Sequence, residues 1–222
     1  MTTLLLIRHG ENEYVKDGRL AGRLPDVHLN RRGIAQAEAL AKSLHGIPIK
    51  AIYSSPLERA VETATPIAES LGIEITIRVG LLETDCGDWE GKTLKGLRRR
   101  KLWPTVQNSP SLMRFPNGES FPECQTRIVS EIERIRQQHK PKDIVACVYH
   151  SDPIKLTVAF YLGMPLDNFQ RLVISTATIT VLQITDTGGN LLQINQQAIP
   201  EHFRLTSEKR KGMGGNHGNH HP

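Results

Sequence analysis

Two uninterrupted apolar runs, Leu4-Leu5-Leu6-Ile7 and Ile144-Val145-Ala146-Cys147-Val148, constrain this 222-residue chain more than any other feature. A strand that is apolar on both faces must be covered on both, which a parallel sheet flanked by helices provides, although run length alone leaves a helix open. Both runs stop abruptly, the first in Arg8-His9-Gly10 and the second in Tyr149-His150. Ligands of open α/β sheets collect beyond the carboxyl ends of the strands. Arg8, His9 and His150 are thereby expected where a small molecule binds. An Arg-His pair on an exposed strand end explains the first run equally well by itself; a second strand ending in histidine tips the balance.

Between these strands, the polar, glycine-bearing stretch from His9 to Asn30 reads as a long loop, a length usually kept for function. Ile34, Ala37, Leu40, Ala41 and Leu44 recur at helical spacing and stop at Gly46 and Pro48. Ala51 to Ser54 is a short strand. Ser55-Pro56-Leu57-Glu58 then has the spacing of a capping box, with Ser55 as cap and Pro56 at the first helical position. That places Arg59 in the first turn, where free backbone N–H groups and the helix dipole already favour an anion. A solvated or paired surface arginine is the weaker alternative.

A third strand runs from Glu74 to Val79, followed by an acidic loop carrying Glu83, Asp85, Asp88 and Glu90. No metal-ligand spacing is present there, and most of these carboxylates are expected to be solvated or paired. Lys95 to Lys101 reads as a short basic helix, and the proline-bearing Trp103 to Gly118 as a candidate lid. Ser120 and Glu123 form a second capping box before a helix reaching His139, stopped by Pro141. His45 and His139, at helix C-terminal ends, read as surface residues compensating the dipole. After His150, Asp152 and Pro153 read as cap and first helical residue. Arg171–Ile174, Thr178–Thr185 and Leu191–Gln197 are expected strands, the last two a hairpin that gives the sheet an antiparallel edge.

The size suits one domain, residues 1–206, with a Gly/Asn/His-rich tail over 207–222 too poor in apolar residues to pack. The tail's His217, His220 and His221 have no surrounding shell to orient them and make a poor metal site. The charge is +5, and basic residues are spread out except at Arg98–Lys101, so anionic partners are favoured in general and nucleic acid is not singled out. Cys86, Cys124 and Cys147 match no disulfide or metal framework, which suggests reduced thiols in the cytoplasm. No signal peptide or apolar span is evident, and no membrane association is expected.

Brought to one crevice, Arg8, His9, Arg59, Glu83 and His150 would offer two guanidiniums, two imidazoles and a carboxylate. That set suits phosphoryl transfer without a metal or other cofactor. Arginine grips phosphate oxygens with paired donors, histidine can attack phosphorus, and a carboxyl of raised pKa can protonate the departing alkoxide. Four ordered motifs carry a resemblance: Arg8-His9-Gly10-Glu11, Ser54 to Ala64 around Glu58-Arg59-Ala60, Leu82-Glu83 with Gly87-Asp88-Trp89-Glu90-Gly91, and His150. Together they resemble the histidine phosphatase superfamily, also called phosphoglycerate-mutase-like, and its phosphatase branch more than its mutases.

The resemblance implies an α/β/α sandwich with a mostly parallel sheet. It implies His9 as nucleophile, Arg8, Arg59 and His150 as phosphoryl-binding residues, Glu83 as proton donor, and Asn12, Gly22 and Ser151 at the substrate. Val15 stands where many relatives have asparagine, and Ser151-Asp152 where the family often has Gly-Gly, adding a carboxylate near the pocket. The implied partner is a small phosphorylated substrate; a homodimer is neither required nor excluded. The rivals are a mutase, which would have to retain the phosphoryl group, and a non-catalytic phospho-ligand binder, which should lack His9 or Glu83.

Overall fold

The structure, a computed structural model, describes residues 1–197. The tail from 207 onward and the domain boundary at 206 lie outside the described residues. Six strands form one sheet: β1 (Thr2–Arg8), β2 (Ile49–Ser54), β3 (Ile75–Ile77), β4 (Ile144–Tyr149), β5 (Ile179–Thr185) and β6 (Gly188–Gln196), in the order β3-β2-β4-β1-β5-β6. β1, β2, β3 and β4 are parallel, and β5 joins β1 antiparallel with β6 beyond it. The expected parallel sheet with an antiparallel edge is therefore present. In chain order the helices are α1 (Glu13–Lys16), α2 (Arg31–Leu44), α3 (Glu58–Leu71), α4 (Leu94–Leu97), α5 (Trp103–Asn108), α6 (Phe121–Gln137) and α7 (Ser151–Tyr161).

Side chains alternate along a strand, so β1 and β4 each feed two cores. Leu5, Ile7, Ala146 and Val148 meet Leu40 and Leu44 of α2 and Ala60, Ala64 and Ile67 of α3. Leu4, Leu6, Val145 and Cys147 meet Ile128, Ile132 and Ile135 of α6 and Ile154 and Val158 of α7. The result is the α/β/α sandwich. Residues Leu4 to Ile7 and Val145 to Val148 are all fully buried, as runs without polar interruption demand.

Several expectations need correction. Ser55 does not cap α3: its N–H still bonds the carbonyl of Val148 at 3.0 Å, prolonging the strand edge, and the helix starts at Glu58 with Leu57 in the cap position and no side-chain cap bond. Asp152 is not the cap of α7, because Ile154 N–H already reaches the carbonyl of His150 at 3.0 Å. His150 occupies the cap and Asp152 the first turn. Ile34 is 51% exposed, since Gly33 takes the inward position against the backbone of Glu11, where any Cβ would collide.

The loop from His9 to Asn30 contains the single turn α1, started by Asn12 Oδ1 accepting from Val15 N–H at 2.9 Å. The basic helix expected over Lys95–Lys101 is formed instead as the short helix Leu94–Leu97, capped by Thr93. Arg171–Ile174 is no strand: the segment Leu166–Arg171 is a 3-10 helix, and the carbonyl of Ile174 serves Arg8 Nη1 at 2.6 Å instead of a neighbouring strand. His139 is half-buried rather than fully exposed, with its Nε2 2.9 Å from Tyr53 Oη, and burial lowers its pKa. The Ser120–Glu123 capping box is formed as expected.

Candidate active site

The parallel register pairs Arg8 with Tyr149, so the next residues, His9 and His150, emerge side by side at the carboxyl end of the sheet. His9 N–H bonds the carbonyl of Tyr149 at 3.0 Å, and the two rings lie 5.3 Å apart at 60°. They are anchored through opposite ring nitrogens. His9 Nδ1 lies 2.7 Å from the carbonyl of Gly10. A carbonyl only accepts, so Nδ1 carries the proton and Nε2 keeps its lone pair, with no hydrogen-bond partner among the described residues. Burial, then the charges of Arg59 and Arg8, hold the His9 pKa well below its ordinary value, so the ring stays neutral at neutral pH.

His150 is turned the other way. Its Nε2 is 2.8 Å from Ser55 Oγ, and its Nδ1 is buried without a partner. Ser55 Oγ already accepts from Leu57 N–H at 3.4 Å, so its hydroxyl hydrogen is free to go to Nε2 and leave the proton on Nδ1. Burial, followed by the nearby Arg59 and His9, lowers the pKa of His150 as well.

Arg59 enters from the first turn of α3 and is 1% exposed. One of its nitrogens donates to the carbonyl of Gly22 at 2.6 Å, and its Nε and Nη1 find no acceptor. Gly22 has φ +55, and a Cβ there would collide with the Glu90 side chain, so glycine suits this position. Gly10 is similarly required, because a Cβ would come 2.7 Å from the backbone oxygen of Gly33. Arg8 Nε and Asn12 Nδ2 are also buried and unpartnered. Burial is the first cause lowering the pKa of both arginines, partly opposed by Glu83.

Glu83 lines the same cavity, of about 310 Å³, with Arg8, His9, Asn12, Gly22 and Arg59. Burial, then the Asp152 charge, raises its pKa to about 7, against the pull of Thr84 N–H, Arg59 and Arg8. Ser151 and Val15 also line the cavity; Ser151 Oγ reaches the carbonyl of Ile174 only at 3.5 Å, and Val15 offers no side-chain polar atom. All eight sequence-identified residues thus converge on one pocket or its immediate wall.

Sequence reasoning missed the scaffold behind Glu83. Arg127 of α6 donates to the carbonyls of Gly80, Leu82 and Glu83 at 2.8, 3.0 and 3.3 Å, and Arg23 donates to the carbonyl of Glu83 at 2.8 Å. Glu119 accepts from both arginines. No local spacing signals a clamp whose members are so far apart. The expected lid segment supplies Trp103, Val106, Gln107 and Phe115 to the cavity wall. In a wider open groove near Arg78 and Arg134 the buried donor without a hydrogen bond is Arg78 Nε, and it faces Glu131 Oε1 at 3.6 Å. Among the described residues no group of three or more His, Cys, Asp or Glu is placed to hold a metal, and no helix is long and apolar enough to cross a membrane.

The family model described as histidine phosphatase superfamily (branch 1) matches residues 4–197. Phosphoserine phosphatase 1 of Hydrogenobacter thermophilus is 30% identical over 200 residues, 88% of this chain and 92% of that protein. The 2,3-bisphosphoglycerate-dependent phosphoglycerate mutase of Thermoplasma acidophilum is 30% identical over 188 residues, 83% and 88% of the two chains. Among solved structures, phosphoserine phosphatase of Entamoeba histolytica in complex with 3-phosphoglyceric acid superposes with a TM-score of 0.80 at 28% identity, covering 91% of this chain and 100% of that one.

Proposed function

The chain belongs to the histidine phosphatase superfamily, and on that premise we propose that it is a metal-independent phosphomonoesterase working through a phosphohistidine on His9. The observation that carries the reading is the set of five buried polar atoms without partners: Arg8 Nε, Asn12 Nδ2, Arg59 Nε and Nη1, and His150 Nδ1. All five are donors, or can be. A buried donor left unsatisfied costs roughly 1–3 kcal/mol, so five around one cavity favour an acceptor-rich anion bound among them. A phosphoryl group, with three equatorial oxygens, is such an anion.

In the reaction, the Nε2 lone pair of His9 attacks phosphorus while the bond from phosphorus to the ester oxygen breaks. Glu83, protonated in part near pH 7, gives its proton to that oxygen. Water then attacks the phosphohistidine, Glu83 takes a water proton, and the N–P bond breaks with its electron pair returning to Nε2. Arg8, Arg59, Asn12 and His150 hold the equatorial oxygens throughout, and the two guanidiniums supply the positive charge that such a transfer needs. The phosphoserine phosphatase relatives support a small phosphorylated metabolite as substrate.

The mutase relative supports a second reading, in which the phosphoryl group passes to another acceptor instead of water. Quenching labelled phosphate ester and enzyme into alkali, then mapping the label, tests the mechanism; it should reside on His9 and be absent from His9→Ala. Release of inorganic phosphate without isomerisation of 3-phosphoglycerate separates hydrolysis from mutase activity, and label on another residue would overturn the assignment of His9.

A further inference from the structure

The phosphate end of the cavity is cationic, but part of the wall that would face the rest of a substrate is not. Asp152 lines the cavity together with Ser151 and Gln170. Its Oδ1 accepts from Lys155 Nζ at 3.2 Å, and Lys155 Nζ also donates to Gln170 Oε1 at 3.2 Å. The carboxylate is therefore fixed against the wall, while its other oxygen has no hydrogen bond among the described residues. Its side chain stays 29% exposed.

A first-turn acid suits the helix dipole wherever it sits. Here it also sets a negative charge where a phosphorylated ligand must bind. That charge disfavours a second anion on the substrate. Trp103 and Phe115 line the same cavity and present the aromatic surface that suits a desolvated cation.

We propose that Asp152 determines specificity by selecting a leaving group that carries a positive charge, such as a primary amine, over one that carries a second anion. This rests on the phosphomonoesterase reading of the same site. Once a phosphate dianion occupies Arg8 and Arg59, Asp152, tempered by Lys155, is the carboxylate left on the cavity wall besides Glu83, which the reaction uses. Arg19 also lines the cavity, with its guanidinium 4.5 Å from the Tyr14 ring and Nε on the carbonyl of Gly91. Its contribution is common to every variant below and cancels when they are compared.

Three esters of similar size provide the test: phosphoethanolamine, ethyl phosphate and phosphoglycolate, with cationic, neutral and anionic leaving groups. For the wild-type protein kcat/KM should be higher for phosphoethanolamine than for phosphoglycolate. Asp152→Asn, which keeps the shape and an acceptor for Lys155, should shrink that ratio by about tenfold, the scale of one charge at close range in a partly wet site. Lys155→Met, which strips the carboxylate of its partner, should enlarge it. Both variants are read against ethyl phosphate, so a general loss of activity does not mimic the effect. A ratio unmoved by Asp152→Asn, with all three esters still hydrolysed, would overturn the role of Asp152 alone. Failure of the wild-type protein to hydrolyse any ester would overturn the phosphomonoesterase reading and this proposal with it.

Discussion

The two ends of the cavity are built differently. At the phosphate end, His9, Arg59 and His150 are 3%, 1% and 0% exposed and issue from strand ends and a helix start, so the sheet itself sets their spacing. At the other end, Trp103 and Phe115 come from short segments held by ring contacts: Trp89 stacks on Trp103 at 6.3 Å, and Phe115 meets Trp89 and Phe121 edge-on at 5.4 Å each. The first end is seated on backbone hydrogen bonds of the sheet, such as that from His9 N–H to the carbonyl of Tyr149. The second depends on apolar packing, which tolerates exchange as long as volume is kept. Chemistry should therefore be brittle to substitution at one end and substrate fit adjustable at the other.

The severest break should come from His9→Ala, lowering turnover by on the order of 10⁶, the scale of deleting an activated nucleophile. Initial-rate assays at saturating substrate would check it, and a loss smaller than that of any other variant here would remove His9 from the chemistry. Next, Arg59→Ala should cost about 10²–10³ in kcat, as for one preorganised donor. The same variant should lose a stability effect. Inorganic phosphate should raise the melting temperature of the wild-type protein, because it binds only the folded state and satisfies the orphaned donors, and should raise that of Arg59→Ala much less.

A smaller and more selective effect is expected at Glu83. Glu83→Gln should slow alkyl phosphates far more than nitrophenyl phosphate, whose leaving group needs no proton. The pH dependence follows from the two shifts. Glu83 is raised to about 7, so its acid form, and hydrolysis of alkyl esters, should decline as pH rises through about 7. His9 is lowered, so its nucleophilic neutral form should persist well into the acid range. Wild-type rate profiles on alkyl esters should accordingly fall on the basic side near 7, and Glu83→Gln should lack that fall. Equal losses on both ester types would argue against the acid role.

The same contrast explains what could be read in the sequence. Leu4 to His9 and Ile144 to His150 announce themselves because a strand buried on both faces admits no polar interruption, so its end and the residue that follows are marked. Arg59 was locatable because strand, proline and acid together bound a helix start, even though Ser55 turned out to serve His150 instead of the cap. The inward residue of α2 was misplaced by one position, since glycine carries no apolar signal where backbones pack closest. The Arg127–Glu119–Arg23 clamp was illegible because its parts are arginines and an acid with ordinary surface-like spacing, meaningful only after folding. Trp103 to Gly118 was legible as an excursion and no more, because ring packing between distant segments has no local period.

That last stretch yields the mildest prediction. Trp103 is half-buried, and its ring contacts the cavity wall without touching Arg8, His9 or Arg59 through any hydrogen bond. Truncation removes one stacked pair, a loss of roughly 0.5–1.5 kcal/mol beyond the area itself. If the wall only seats the leaving group, Trp103→Ala should raise KM by about fivefold while leaving kcat on nitrophenyl phosphate within about threefold, because binding lost equally from ground and transition states changes KM alone. Trp103→Phe, which keeps a ring against Trp89, should recover most of the KM. A kcat loss in Trp103→Ala as large as that of Arg59→Ala would mean that this aromatic wall orders the reacting groups, and the division between a rigid chemical end and an adjustable binding end would not hold.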